Sequence, residues 1–75
     1  MLNIIVINCE DRYEEYEWQS KEAFVQEIES NGKNVPMLDN VLTEVNTQDE
    51  SLQSWWEHMS DMNMMTVNDL FKECK

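Results

Sequence analysis

One glycine and one proline, Gly32 and Pro36, are the only residues of their kinds in this 75-residue chain. Folds with many short strands use such residues at most of their turns, so their scarcity argues against a loop-rich or all-β domain. Apolar residues make up 41% of the chain and include three Trp, which is enough for one hydrophobic core. Residues 1–75 are therefore predicted to form a single small domain.

The N-terminal quarter has the pattern of a β-hairpin. A β-branched run predicts a buried strand over residues 3–9. In residues 13–18, aromatic residues alternate with Glu15 and Glu17. This alternation predicts a second strand with one buried face and one face of carboxylates. The fold is therefore predicted to begin with two paired strands.

Helices are predicted for most of the remaining chain, because apolar residues recur at helical spacing after typical starting residues. Ser20 is a predicted N-cap. Thr47 with Glu50, and Thr66 with Asp69, have the spacing of capping boxes, in which side chain and backbone groups satisfy one another. The predicted helices span residues 20–31, 36–46, 48–60 and 66–74.

The segment 36–46 is open to two interpretations. Its apolar residues recur at the i, i+1, i+4, i+5 and i+8 positions of an amphipathic helix. A strand is the competing interpretation, because Val41 and Val45 are β-branched. We favour the helix on periodicity. The predicted fold class is then α+β, with three to four short helices packed on an N-terminal hairpin.

Charge limits the partners that this chain can approach. Sixteen acidic residues against five basic ones give a formal net charge of −11. Such a surface repels nucleic acid and anionic membranes, and it attracts the basic grooves that hold phosphate backbones. No stretch approaches the roughly 20 apolar residues of a membrane span, and no signal peptide is recognisable. We expect a cytoplasmic protein with Cys9 and Cys74 reduced.

The acidic region of residues 10–29 is the predicted partner-binding surface. On a strand, Glu15 and Glu17 would form a row with a spacing of roughly 6.6 Å. On a helix, Glu22 and Glu29 would share one face. Such carboxylates could imitate the phosphates that a basic groove binds, or they could simply keep a small protein soluble. The candidate residues are Glu10, Asp11, Tyr13, Glu14, Glu15, Tyr16, Glu17, Glu22 and Glu29.

Catalysis and metal binding have little support in the sequence. His58, Cys9 and Cys74 are the only His and Cys residues, and no two of them form a close-spaced pair in the sequence of the kind that zinc sites use. Cys74 follows Glu73 at the end of a predicted helix, where the helix dipole and the carboxylate raise the pKa of the thiol. The chain is therefore predicted to be no enzyme, and to hold no metal and no cofactor.

A second hypothesis is an adaptor or regulator that binds its partner, or a second copy of itself, through an apolar surface. Trp55 and Trp56 are predicted on a helix, and one of them would lie at the edge of the core. Met62, Met64 and Met65 fit the helical pattern less well and could extend such a surface. Binding of this kind would survive high salt.

In size and composition the chain resembles the small acidic inhibitors that bacteriophages encode. The resemblance depends on the excess of Glu and Asp, the scarcity of Gly and Pro, and the acidic run at residues 10–17. These proteins include anti-restriction DNA mimics, anti-CRISPR proteins and inhibitors of DNA glycosylases. The resemblance implies a stoichiometric inhibitor in the bacterial cytoplasm that occupies the nucleic-acid site of a nuclease, a CRISPR effector or a similar basic protein.

Overall fold

The computed structural model describes residues 1–32, 35–61 and 64–75 and has the predicted α+β fold. An N-terminal hairpin is confirmed, and its two strands belong to a sheet that the helices cover on one face. The elements in chain order are β1 (Leu2–Ile7), β2 (Tyr13–Trp18), α1 (Lys21–Ser30), a 3₁₀ helix (Pro36–Asp39), β3 (Val41–Thr47), α2 (Glu50–Met59) and α3 (Val67–Cys74).

The described strands form one antiparallel sheet in the order β2-β1-β3. β1 is the central strand, and its β-branched residues suit this position because both of its edges are paired. The register with β2 runs without interruption from the pair Leu2 and Trp18 to the pair Ile7 and Tyr13. β2 and β3 are consequently the two outer strands.

The helix predicted over 36–46 is wrong. Pro36 does begin a helical segment, as its fixed φ favours, but this 3₁₀ helix ends at Asp39. β3 begins two residues later, at Val41. The competing interpretation of this segment, a strand, is therefore correct for its second half.

A β-bulge explains why periodicity favoured a helix there. β3 pairs with β1 in a register that shifts once, which leaves Thr43 as an extra residue between Leu42 and Glu44. Leu42 and Val45 are therefore both buried, although they lie three residues apart. In a regular strand, residues on one face are an even number apart. The bulge thus produces a spacing that is also typical of a helix.

The core lies between one face of the sheet and the helices. Alternation along β1 buries Leu2, Ile4 and Val6 completely. Phe24 of α1 is also fully buried and packs against Trp18, with ring centroids 4.6 Å apart. The other buried apolar residues are Ile28, Leu42, Val45, Leu52, Met65, Val67 and Leu70.

The starts of α1 and α3 follow the predicted capping residues. The Ser20 hydroxyl accepts a hydrogen bond from the backbone N–H of Ala23 at 3.1 Å. At α3, the Asp69 carboxylate accepts hydrogen bonds from the backbone N–H of Thr66 at 2.9 Å and from its hydroxyl at 3.1 Å. Both arrangements satisfy backbone groups that have no partner within the helix.

The capping box predicted at Thr47 and Glu50 is wrong. Thr47 is the last residue of β3, and Asp49 is the N-cap of α2. The Asp49 carboxylate accepts from the backbone N–H of Leu52 at 3.0 Å. The helix predicted over 48–60 therefore exists, but it begins at Glu50.

Candidate functional site

The side of the sheet that faces away from the core has no helix against it in the described parts of the chain; we call it the open face. Strand residues alternate between the two sides of a sheet, so the odd-numbered residues of β1 and β2 lie on this face. Pairing across the sheet arranges the face in three rows. The rows are Tyr13, Ile7 and Val41; Glu15, Ile5 and Glu44; and Glu17, Asn3 and Asn46.

The open face is acidic. Three of its nine residues are glutamates and none is basic, which gives a formal charge of −3. Glu15, Glu17 and Glu44 are all exposed. Glu15 and Glu17 lie two residues apart on one strand, roughly 6.6 Å, and Glu15 and Glu44 lie two strands apart, roughly 9.6 Å. These separations suit contacts with several cationic groups at once.

A short chain of amide side chains orients Glu15 across the sheet. The Asn3 Nδ2 group donates a hydrogen bond to Glu15 Oε2 at 2.7 Å, and Asn46 Nδ2 lies 3.5 Å from Asn3 Oδ1. Each amide can donate and accept, so the three strands are linked on this face. Because Glu15 is already held in one orientation, less conformational entropy of its side chain is lost when a partner binds.

Apolar side chains lie beside these carboxylates. Ile5 and Ile7 are half-buried and do not belong to the helix-covered core. Tyr13 at the edge of the face is 70% exposed. A Lys or Arg side chain could lie along these groups with its aliphatic stem while its charged end meets a glutamate.

The structure does not bring the residues predicted for the site together on one surface. Strand alternation and the turn divide them among separate surfaces of the molecule. Glu15 and Glu17 do lie next to each other on one side of β2, as predicted, and Tyr13 lies with them on the open face. Glu14 and Tyr16 are on the core side of β2, Glu10 and Asp11 are in the turn, and Glu22 and Glu29 are on α1.

Glu14 and Tyr16 are occupied by internal hydrogen bonds. Glu14 Oε1 accepts from Asn8 Nδ2 at 2.9 Å, and Glu14 Oε2 accepts from the Tyr16 hydroxyl at 3.1 Å. Burial, with the hydrogen bond and charge of Glu14, raises the pKa of Tyr16. This pair therefore holds β2 in place and adds little to the surface for a partner.

Glu10 and Asp11 belong to the tight turn between the hairpin strands. Asn8 Oδ1 accepts from the backbone N–H groups of Glu10 at 2.8 Å and Arg12 at 3.1 Å. Asp11 has a φ of 58°, a left-handed conformation that Asp tolerates better than most residues. The Glu10 carboxylate lies 3.8 Å from the exposed Arg12 guanidinium, and such pairs contribute little to stability.

Two of the three glutamates of α1 line a groove on the helical side of the molecule. Glu22 and Glu29 share one face of α1, as predicted, and the groove also contacts Val25 and Cys74. Burial raises the pKa of the Cys74 thiol to about 11, so it stays protonated at neutral pH. Because α1 packs on the core side of the sheet, this groove and the open face point in different directions.

The predicted site residues include three of the nine residues of the open face, all of them on β2. Glu44 was absent from the candidates, because the segment that contains it was predicted as a helix. Its register partner Ile5 was predicted to be fully buried but is only half-buried. The alternation of polar and apolar residues in β1 was too irregular to reveal an uncovered side.

The Met and Trp residues proposed for an apolar contact are mostly part of the core. Met65 is 8% exposed, and Trp55 and Trp56 are half-buried against the core. Met64 is 80% exposed, and Met62 lies outside the described residues. Among the described members of this set, Met64 alone is largely exposed.

The described parts of the chain contain neither a metal-binding cluster nor a membrane-spanning helix. Within residues 1–32, 35–61 and 64–75, no group of three or more His, Cys, Asp and Glu side chains could hold a metal ion. No helix of that part is long and apolar enough to cross a membrane. Cys9 and Cys74 are free thiols.

The chain was compared with models of protein families, with curated proteins and with solved structures, and none of these comparisons found a match.

Proposed function

We propose that this protein is a stoichiometric inhibitor that binds a basic nucleic-acid-binding protein through its open face and competes with the nucleic acid. The observation that carries the proposal is the arrangement of Glu15, Glu17 and Glu44 around Ile5, with no basic residue in the three rows. Carboxylates in such an array can form charge-assisted hydrogen bonds with the Lys and Arg side chains that otherwise hold phosphates.

The net charge of the chain supports the same proposal. A formal charge of −11 on 75 residues produces a long-range field that steers the protein toward a cationic groove. Association is then fast at low salt and slows as salt screens the field. The affinity should therefore fall as the salt concentration rises.

Apolar groups would stabilise the complex once it has formed. Ile5, Ile7 and Tyr13 can be desolvated between the carboxylates, and aromatic residues are frequent among those that dominate binding energy. A DNA phosphate backbone offers no such contacts. The inhibitor would therefore compete through shared charge contacts and through additional apolar ones.

The targets that fit this proposal are nucleases, CRISPR effectors and other DNA-processing proteins. Bacteriophage inhibitors act on such host proteins, so the proposal puts the action in the cytoplasm of a bacterial cell. The proposed activity is binding and not catalysis. One inhibitor molecule would occupy one nucleic-acid site.

Capture from a bacterial lysate on the immobilised protein, followed by elution with a salt gradient and mass spectrometry, would identify the target. DNA binding by that target should then decrease as inhibitor is added. It should be abolished when inhibitor and target are present in about equimolar amounts. A target that binds DNA equally well in the presence of the inhibitor would contradict the proposal.

Matched charge-reversal variants test the face itself. Changing Glu15, Glu17 and Glu44 to Lys should weaken target binding about a hundredfold or more, since like charges across an interface cost several kcal/mol. The control variant has three other exposed acidic residues changed to Lys, so its net charge changes by the same amount. These control residues are Glu57, Asp61 and Glu73. Equal losses in both variants would point to net charge alone and would refute a specific role of the open face.

A further inference from the structure

We propose that the outer edge of β2 binds an extended basic segment of the partner protein as an antiparallel fourth strand. β2 is an outer strand, and in the described residues no chain pairs with its outer edge. An unpaired edge presents backbone N–H and C=O groups to any strand that can approach. This inference rests on the proposed function only for the positive charge of the partner.

The hydrogen-bond pattern of the hairpin identifies the free backbone groups. The backbone N–H of Asn8 donates to the carbonyl oxygen of Arg12 at 2.9 Å, just beyond the end of the β1–β2 ladder. Hydrogen-bonded pairs alternate with non-hydrogen-bonded pairs along an antiparallel ladder. Counting from this pair, even-numbered residues of β2 direct their backbone groups toward β1. The outward N–H and C=O groups are those of Tyr13, Glu15 and Glu17.

The other outer strand is less suited to this role. The start of β3 is already bonded along its outer edge, because the N–H of Leu42 donates to the carbonyl of Met65 at 2.8 Å. Val41 also forms a bridge with Thr66, and the strand has a bulge at Thr43. β2 has an uninterrupted register and contains no proline. It therefore keeps the straight, open edge that strand addition requires.

Charge decides which strand can bind there. β2 contains Glu14, Glu15 and Glu17 and no basic residue, so a second copy of β2 would bring carboxylates opposite carboxylates. A segment with alternating Lys or Arg instead puts its charges next to Glu15 and Glu17, at a strand spacing of roughly 4.8 Å. The added strand would enlarge the open face by one strand, so one partner could use both surfaces.

Synthetic peptides in which lysine alternates with valine test this arrangement. In an antiparallel strand with its lysines over the open face, the lysine N–H groups point toward β2 and the valine N–H groups point away. N-methylation of the lysine residues should therefore weaken binding about tenfold or more, which corresponds to one or two lost backbone hydrogen bonds. N-methylation of the valine residues leaves charge and size matched, and it should have little effect.

Amide hydrogen exchange measured by NMR gives the location. The unmodified peptide should slow exchange at Tyr13, Glu15 and Glu17, and equal binding by both methylated peptides would overturn the proposal. Slower exchange at these amides with rising protein concentration and no peptide would identify a second copy as the occupant, and would also overturn it. The test contains no nucleic acid, so failure to compete with DNA would refute the proposed function alone.

Discussion

The indole Nε1 of Trp18 donates a hydrogen bond to Glu27 Oε2 at 2.7 Å and so attaches β2 to α1. The same indole ring lies between Tyr16, at a centroid distance of 6.1 Å, and Phe24, at 4.6 Å. One carboxylate of the acidic N-terminal region is thus a structural group. The acids of this region therefore differ in role, and this difference can be measured.

Removing the Glu27 carboxylate should lower the free energy of unfolding. Glu27→Ala should cost about 1 kcal/mol, because the indole N–H of Trp18 loses its acceptor. Glu22→Ala, on the same helix, is the control, since no internal hydrogen bond to the Glu22 side chain is seen in the described residues. Urea unfolding followed by Trp fluorescence would measure both. Equal losses would contradict the structural role of Glu27.

The two sides of β1 should respond differently to the same substitution. Ile4 is completely buried on the core side, so Ile4→Val should lower the free energy of unfolding by about 1 kcal/mol. Ile5 is half-buried on the open face, and Ile5→Val should cost clearly less. Thermal or urea unfolding of the pair gives the comparison. A larger loss at Ile5 would mean that the sheet is covered on the other side.

Stability in acid should depend on the pair of Lys21 and Asp49. Their side chains lie 2.9 Å apart, and this hydrogen bond, with that from the backbone of Leu52, lowers the pKa of Asp49. A lowered pKa in the folded state contributes stability above the ordinary value of 3.8, and the contribution disappears as the pH falls through the folded value. Protonation of other acids relieves repulsion at the same time, so a variant is needed for comparison.

Asp49→Asn provides that comparison. Asn is as good an N-cap as Asp, so the variant keeps the start of α2 and loses only the charge. The stability difference between parent and variant should be largest near neutral pH and should shrink toward about pH 2. Urea unfolding at a series of pH values would measure it. A difference that does not change with pH would show that the pair with Lys21 contributes nothing.

The two thiols should react at different rates. A rise in the pKa of Cys74 from 9.0 to about 11 lowers its thiolate fraction at about pH 8 roughly a hundredfold. Cys9 is exposed, so brief iodoacetamide treatment should label Cys9 first. Peptide mass spectrometry would quantify each site, with urea-unfolded protein as the control in which the rates converge. Equal rates in the folded protein would contradict the burial of Cys74.

Much of the fold could be predicted because several elements have regular spacing. Strand alternation indicated β2, and the apolar spacing after Ser20 and Thr66 indicated α1 and α3. β3 could not be predicted from its spacing, because its bulge at Thr43 puts Leu42 and Val45 three residues apart on one face. Only the pairing with β1 reveals that this spacing belongs to a strand.

The candidate site was harder to predict than the fold. The sequence indicated that Glu15 and Glu17 lie next to each other on one side of a strand, and the sheet register has both on the open face. Glu44 joins that face only through pairing with Ile5, which lies 39 positions before it, and no local pattern reports such a contact. Glu14 and Tyr16 were counted with their neighbours as surface groups. They lie on the core side instead, because each step of one residue along a strand changes sides.

The order of the strands has a consequence for how the protein folds. The hairpin of β1 and β2 closes a short loop, whereas the Thr43 hydroxyl reaches back 38 residues to donate to the carbonyl of Ile5. During synthesis the hairpin can therefore form before β3 has left the ribosome, and the second edge of β1 is then still unpaired. In that interval the unpaired edge of β1 is exposed to other nascent chains. The carboxylates of β2 would repel other copies of this acidic chain.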